Sequence, residues 1–96
     1  MNRVTILYPT TEGAKFDLDY YCNSHMPLFA KSLGEHCKGW GVDKVVNGPY
    51  EAIGWALVDG LDGFNAAMKE HGAEIMGDVA NYTTIQPTLV IGEVAV

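Results

Sequence analysis

The segment from Tyr50 to Asp59 limits the possible folds most strongly, because it is apolar on both sides of a predicted strand. Successive side chains of a strand point to opposite faces. One face carries small residues and the other larger ones, namely Ala52, Gly54, Ala56 and Val58 against Ile53, Trp55 and Leu57. An antiparallel strand with one solvated face alternates apolar and polar residues instead. We therefore expect both faces of the sheet that contains this strand to be covered.

Proline and glycine divide the chain into segments with alternating strand and helix patterns. Strands are predicted where β-branched and aromatic residues cluster, and helices where apolar residues recur on one face. The predicted elements are a strand over Arg3–Tyr8, a helix between Asp17 and Gly34, a strand over Cys37–Val46, a strand over Tyr50–Asp59, a helix from Leu61 to His71 with a further helical turn over Ala73–Val79, and a strand over Thr84–Val96 that Pro87 and Gly92 interrupt.

Typical capping residues mark the ends of both predicted helices. Asp17 is suited to accept a hydrogen bond from the first turn of the first helix, and Gly34 is suited to end that helix. Asp59 or Gly60 caps the second helix, and Gly72 is expected to end it.

The element order β-α-β-β-α-β is the ferredoxin-like pattern. It predicts an α+β fold in which a four-stranded antiparallel sheet carries both helices on one face. Asn47-Gly48-Pro49 is a strong turn signal, so the second and third strands should form a hairpin. Pro87 cannot donate a ladder hydrogen bond, which favours an edge position or a bulge for the last strand.

The length of 96 residues allows a single domain over residues 1–96 and no second one. Two helices cover one face of the sheet and leave the other apolar face open. A second copy that packs sheet to sheet about a two-fold axis would cover it. The sequence thus predicts a homodimer.

Charge and hydropathy exclude several classes of partner. The net charge is −6 and the six basic residues are scattered, so no basic patch suited to nucleic acid is expected. No apolar run reaches the roughly 18 residues of a membrane span, and the N-terminus is too short and polar for a signal peptide. Cys22 and Cys37, without a CxxC motif, are expected to be reduced thiols of a cytoplasmic protein.

His25 is the first candidate functional residue, because it falls within the apolar stripe of the first helix. At about 100° per residue, the imidazole should point toward the sheet, and Tyr21 lies one turn earlier on the flank of the stripe. Pro27 should kink the helix and free a carbonyl close by. The stripe consists of Leu18, Cys22, Phe29 and Leu33.

The pair of His25 and Tyr21 can carry catalysis without a cofactor. An imidazole with a pKa near neutrality acts as a general base or acid, and a phenol can donate to a developing oxyanion. Tyr21 is also a candidate hydrogen-bond partner of His25. The structural alternative is a satisfied core histidine beside a packed tyrosine.

Four further residues are candidates for substrate binding. Trp40 and Trp55 lie on the two strands of the hairpin and could line a flat apolar pocket. Asn81 and Tyr82 lie between the second helix and the last strand and could reach the mouth of that pocket. The structural alternatives are core or dimer-interface tryptophans and a capped turn with a packed tyrosine.

Neither a metal nor a cofactor is predicted. His25, His36 and His71 share no HxH or HxxxH spacing. GxGxxG, P-loop and GxSxG motifs are missing. Two-carboxylate hydrolysis lacks support as well, because the acidic residues occupy caps, turns and exposed helix positions.

Several motifs resemble the EthD family, which is named after a protein encoded with an ether-degrading oxygenase system. The likeness extends over nearly the whole chain, and the spacing Tyr-x-x-x-His-x-Pro on the first helix is its most specific part. The matching segments are Leu7-Tyr8-Pro9, Lys15-Phe16-Asp17, Tyr20-Tyr21, His25-Met26-Pro27, His71-Gly72-Ala73-Glu74-Ile75-Met76, Asn81-Tyr82-Thr83 and Gln86-Pro87.

The resemblance implies a dimeric α+β barrel, in which two ferredoxin-like sheets pack face to face. Pockets of such barrels lie between the sheet and the helices of each subunit, which is where His25 should point. Related barrels include cofactor-free monooxygenases, haem-degrading enzymes, isomerases and polyketide cyclases, and EthD-like proteins are described as oxidoreductases with an unsettled reaction.

Three hypotheses about function follow. In the first, a cofactor-independent oxidoreductase of catabolism binds a small apolar or aromatic molecule between the first helix and the sheet, with His25 moving a proton and Tyr21 stabilising the anion. In the second, the protein is a non-catalytic accessory or ligand-binding protein of an oxygenase pathway. In the third, an isomerase or cyclase uses the same His-Tyr pair.

Overall fold

The sheet of the computed structural model, which describes all residues from 1 to 96, has the predicted ferredoxin-like topology. Its strands lie in the order β2-β3-β1-β4, and every neighbouring pair is antiparallel. This arrangement confirms the predicted α+β fold with a four-stranded antiparallel sheet. The strands are β1 (Asn2–Pro9), β2 (Cys37–Lys44), β3 (Tyr50–Val58) and β4 (Thr88–Glu93).

The first helical region begins as predicted and contains a π turn. The Asp17 side chain accepts a hydrogen bond from the Tyr20 backbone N–H at 3.1 Å, and Gly34 ends the region with φ +60°. Between the two α-helical parts, the N–H of Met26 bonds the carbonyl of Tyr21, five residues back. Pro27 then lies in the first turn of the following helix, where a missing N–H costs little. The parts are α1 (Leu18–Tyr20), the π turn (Tyr21–His25) and α2 (Met26–Leu33).

The second predicted helix is longer than expected. Helix α3 (Leu61–Asp78) continues through Gly72, so the prediction that it ends near that glycine is wrong. Ile75, beyond the glycine, is buried in the core. Burial of that side chain contributes about 1.5–3 kcal/mol, which exceeds the roughly 1 kcal/mol that an interior glycine costs a helix.

The last strand is shorter than predicted. It begins at Thr88, directly after Pro87, and the residues before the proline pack against the loop that precedes α1 instead. There the Lys15 N–H donates to the Thr84 hydroxyl at 3.1 Å, and Ile85 is buried. Strand β4 lies at the edge of the sheet, next to β1.

The two faces of the sheet differ in how much they are covered. On β3, the face under the helices is fully buried, with Ala52, Ala56 and Val58 at 0% exposure. The opposite face, called the outer face below, is only half-buried in one chain. Its apolar side chains on β3 and on the paired positions of β1 and β4 are Ile53, Trp55, Leu57, Leu7 and Val90.

Candidate functional site

His25 ends the π turn and is held by a residue from the other helix. The imidazole is buried, with 3% exposure, and its Nδ1 lies 2.9 Å from Oδ2 of Asp78, the last residue of α3. The two residues are 53 positions apart in the chain. The hydrogen bond therefore joins the helices beside the sheet.

Asp78 is a charged acceptor with three donors. Besides His25, the Tyr20 hydroxyl donates to it at 2.7 Å and the Asn81 amide at 2.9 Å. Burial alone would raise the pKa of this carboxyl, but the hydrogen bonds from Tyr20, Asn81 and His25 outweigh burial and lower its pKa below the ordinary 3.8. The group is thus a carboxylate at neutral pH.

The ionised carboxylate fixes the tautomer of the histidine. A carboxylate can only accept, so Nδ1 of His25 carries the proton in this hydrogen bond. In the neutral imidazole Nε2 is then the acceptor, and no hydrogen bond within the chain engages it. The pair thus presents one basic nitrogen whose orientation is set by Asp78.

A cavity of about 310 Å³ lies beside His25, between the two helices and the β1–β4 edge of the sheet. The predicted location between the first helix and the sheet thus contains a pocket. Nine of its eleven lining residues are hydrophobic, and none is Lys or Arg. Its walls include Ile6 from β1, Phe29 from α2, and Phe64 and Met68 from α3.

Tyr21 does not make the expected hydrogen bond to His25. The two rings stack, with centroids 5.6 Å apart and planes inclined by 17°. The Tyr21 hydroxyl lies against Gly54 of β3, is fully buried and has no hydrogen-bond partner. Tyr21 does not line the cavity. The π turn places its ring flat against the imidazole and leaves Nδ1 to Asp78.

Tyr82 packs behind the imidazole instead of standing at the pocket mouth. It is 2% exposed, and its ring centroid lies 4.5 Å from that of His25. Its hydroxyl hydrogen-bonds the hydroxyl of Tyr8, a residue that does line the cavity. Burial raises the pKa of Tyr8, Tyr21 and Tyr82, and these three residues are called the tyrosine cluster below.

Asn81 acts on the carboxylate and not on the cavity. Its amide donates to Asp78 and, at 3.4 Å, to the Tyr20 hydroxyl. The side chain is exposed and does not line the cavity beside His25. Its position supports the geometry of the His25–Asp78 pair.

The two tryptophans lie on opposite faces of the sheet. Trp40 is paired with Ala56 and shares the helix-covered face, whereas Trp55 is paired with Gly41 and lies on the outer face. A shared pocket within one chain is therefore excluded, and neither indole lines the cavity beside His25. The Arg3 guanidinium lies 5.8 Å from the Trp55 ring centroid.

Sequence reasoning missed Asp78, and one signal pointed to it. An acidic residue at the end of a helix is disfavoured by the helix dipole, and the last turn of α3 contains no basic residue to offset it. Such a local misfit indicates a tertiary role. Tyr8 was also missed as a site residue, because as a strand residue it is equally suited to the core.

Other kinds of site find no support in the geometry. No three His, Cys, Asp or Glu side chains lie together in a way that could hold a metal ion. Cys22 and Cys37 are both free thiols. None of the helices is long and apolar enough to cross a membrane.

Solved structures show which proteins this chain is similar to. An EthD-like protein from Ralstonia eutropha JMP134 is 44% identical, with 99% of this chain and 92% of that chain covered and a TM-score of 0.94. A dimeric ferredoxin-like protein of unknown function from Thermobifida fusca YX is 18% identical (97% and 90% covered, TM-score 0.64). An antibiotic biosynthesis monooxygenase is 11% identical (100% of both chains covered, TM-score 0.57). The last two likenesses concern the fold alone. No family model and no curated protein matches the chain significantly.

Proposed function

The chain belongs to the EthD family, and from that premise we propose that it binds a small apolar or aromatic molecule in the cavity beside His25 and moves a proton on it. One observation carries the proposal. His25, whose Nδ1 is held by an ionised carboxylate and whose Nε2 has no hydrogen-bond partner in the chain, lines an apolar cavity of about 310 Å³. Cavities of this size, with few polar groups among apolar walls, are typical of small-molecule sites.

In this proposal His25 is the general base and Asp78 is its positioning residue. Nε2 takes a proton from the ligand, and the resulting imidazolium is stabilised by the carboxylate 2.9 Å from Nδ1. The surrounding apolar walls lower the local dielectric constant, which strengthens this charge interaction. Asp78 remains ionised throughout, because its pKa is lowered.

The reaction class we favour is a cofactor-independent oxidation in catabolism. His25 removes one proton from the bound molecule and dioxygen takes two electrons from it; this proton and a second one from the molecule leave with the reduced oxygen as hydrogen peroxide, so the molecule loses two hydrogen atoms in all. An isomerase or cyclase would use the same first step and return the proton to a different atom. The two classes share the site and differ in whether dioxygen is consumed.

The accessory hypothesis is favoured by one observation. Tyr21, the expected donor to an oxyanion, does not line the cavity, so Tyr8 and His25 are the two lining residues with hydrogen-bonding side chains. A protein that only binds and delivers a molecule needs no more than the hydrogen bond to His25.

We further propose a cytoplasmic homodimer in which the outer faces of two sheets meet. The apolar side chains of this face are only half-buried in one chain, and burial of apolar area is the main driving force of association. A protein of the same fold from Thermobifida fusca is described as dimeric. Free Cys22 and Cys37 are compatible with a reducing compartment.

The decisive experiment compares the wild-type protein with His25→Ala on a substrate found by screening small aromatic compounds. We expect loss of turnover with an unchanged circular dichroism spectrum. Turnover that survives the substitution would contradict the role of His25 as the base. A compound that the wild type binds tightly and returns unchanged, with no dioxygen consumed, would establish the accessory hypothesis instead.

A further inference from the structure

We infer, resting on the proposed function of the cavity, that the site selects neutral molecules that carry a hydroxyl group, phenols above all, and rejects carboxylates and other anions. The number, type and charge of the groups that line the cavity set this preference.

The hydrogen-bonding groups of the cavity call for a donor on the ligand. Only His25 and Tyr8 among the lining residues have a hydrogen-bonding side chain. The hydroxyl of Tyr8 is engaged by the hydroxyl of Tyr82, and Nδ1 of His25 is engaged by Asp78. Each hydroxyl of the Tyr8–Tyr82 pair keeps further hydrogen-bonding capacity, but Nε2 of His25 has no partner at all, and in the neutral imidazole it is an acceptor. A hydroxyl satisfies it, whereas an ether, a ketone or a plain hydrocarbon leaves it unpaired in an apolar wall.

The charges around the cavity oppose an anionic ligand. No Lys or Arg lines it, and the carboxylate of Asp78 lies 2.9 Å from the imidazole of His25. A carboxylate ligand would bring a second negative charge into an apolar space, or would need an extra proton on His25. A neutral phenol adds no charge. The net charge of −6 on the chain opposes anions at longer range as well.

The composition of the walls favours an aromatic ring. Phe29, Phe64 and Met68 supply two aromatic rings and a thioether, groups that pack well on aromatic faces. The volume of about 310 Å³ is at the lower end of the range of small-molecule pockets. One or two fused rings therefore suit this cavity better than a larger polycyclic molecule.

Three probes with one ring system test the inference on the wild-type protein: 2-naphthol, naphthalene and 2-naphthoate, each titrated at pH 7 by calorimetry. We expect 2-naphthol to bind about tenfold more tightly than naphthalene, because one satisfied hydrogen bond separates them. We expect 2-naphthoate to bind about tenfold more weakly than 2-naphthol or not at all.

A variant links the preference to the histidine. In His25→Phe combined with Asp78→Asn, the acceptor is removed without leaving an unpaired charge, so 2-naphthol and naphthalene should bind equally. Trp40→Phe, outside the cavity, should keep the tenfold preference. If the double variant does not fold, the three probes on the wild type still decide the question.

The outcomes separate this inference from the proposed function. If none of the three probes binds, both the cavity role and the inference are overturned. If naphthalene or 2-naphthoate binds as tightly as 2-naphthol, the cavity still binds small aromatic molecules, and only the selection of neutral hydroxyl compounds is refuted.

Discussion

Gly54→Ala tests the packing that holds the tyrosine cluster against the sheet. A Cβ at Gly54 would lie 3.0 Å from Cζ of Tyr21 and 3.4 Å from Cε of Met26, and nearer still to the Tyr21 hydroxyl oxygen. Ordinary carbon contacts are about 3.5–4.0 Å, so Cζ must retreat by roughly 0.5–1 Å and the hydroxyl oxygen, which is closer, by more. Tyr21 is fully buried and stacked on His25, which leaves it no free space.

The expected loss of stability is about 1–3 kcal/mol, the usual cost of inserting a methyl group into a packed core. For a chain of this length, each kcal/mol of lost stability lowers the melting temperature by roughly 4–8 °C. The assay is urea unfolding followed by circular dichroism at one fixed protein concentration. Gly72→Ala is the matched control, since nothing lies within 4 Å of a Cβ there. It should stabilise α3 by about 0.5–1 kcal/mol.

Tyr21→Phe completes a double-mutant cycle with Gly54→Ala. The substitution removes the atom closest to the new methyl group and also an unpaired buried hydroxyl, so alone it should be close to neutral. Combined with Gly54→Ala it should recover part of the lost stability, because the ring carbon at 3.0 Å remains. Equal stability of Gly54→Ala and Gly72→Ala, or strictly additive effects in the cycle, would refute the close approach.

Three further predictions concern charge, ionisation and assembly. Because the folded protein lowers the pKa of Asp78, the ionised carboxylate stabilises the fold at pH values above the ordinary pKa of 3.8. This contribution is lost as the pH falls through the pKa of the folded state. Asp78→Asn should therefore be less stable than the wild type at pH 7, with a gap that closes on acidification; a constant gap would contradict the reasoning. The tyrosine cluster has pKa values raised above 10.0, so its stabilisation is complete below pH 10 and is lost at higher pH. Tyrosinate absorbance from the cluster should thus appear only together with alkaline unfolding, whereas early ionisation in the folded state would refute its burial. Trp55→Glu on the outer face should sediment as a monomer of 10.4 kDa, while Trp40→Glu should sediment at twice that mass like the wild type; equal behaviour would contradict the interface.

The fold was predictable because its signals are local. The alternation in β3, the cap at Asp17 and the helix end at Gly34 each depend on neighbouring residues, and the structure has all three. The errors at Gly72 and Pro87 have one cause. Local propensity predicted that α3 ends before Gly72 and that β4 begins at Thr84. Burial of Ile75 and Ile85 in the core instead extends α3 to Asp78 and delays β4 until Thr88.

The candidate site was predictable only in part. The periodicity of the first helix is sufficient to direct His25 toward the sheet, and the cavity lies there. The periodicity does not identify the partner of His25, because Asp78 is 53 residues away and Tyr21 was the only phenol one turn distant. Nor does it tell on which face each tryptophan lies, since a shift of one residue in the hairpin register exchanges the faces.

The sequence by itself determines the element order, the two-sided apolar sheet and the direction of His25 toward the sheet, because periodicity and capping act over a few residues. Tertiary structure alone assigns the carboxylate to His25, turns the Tyr21 hydroxyl away to Gly54 and leaves a cavity between the helices. These features depend on distances between segments that are far apart in the chain, and such distances are set only when the helices pack on the sheet.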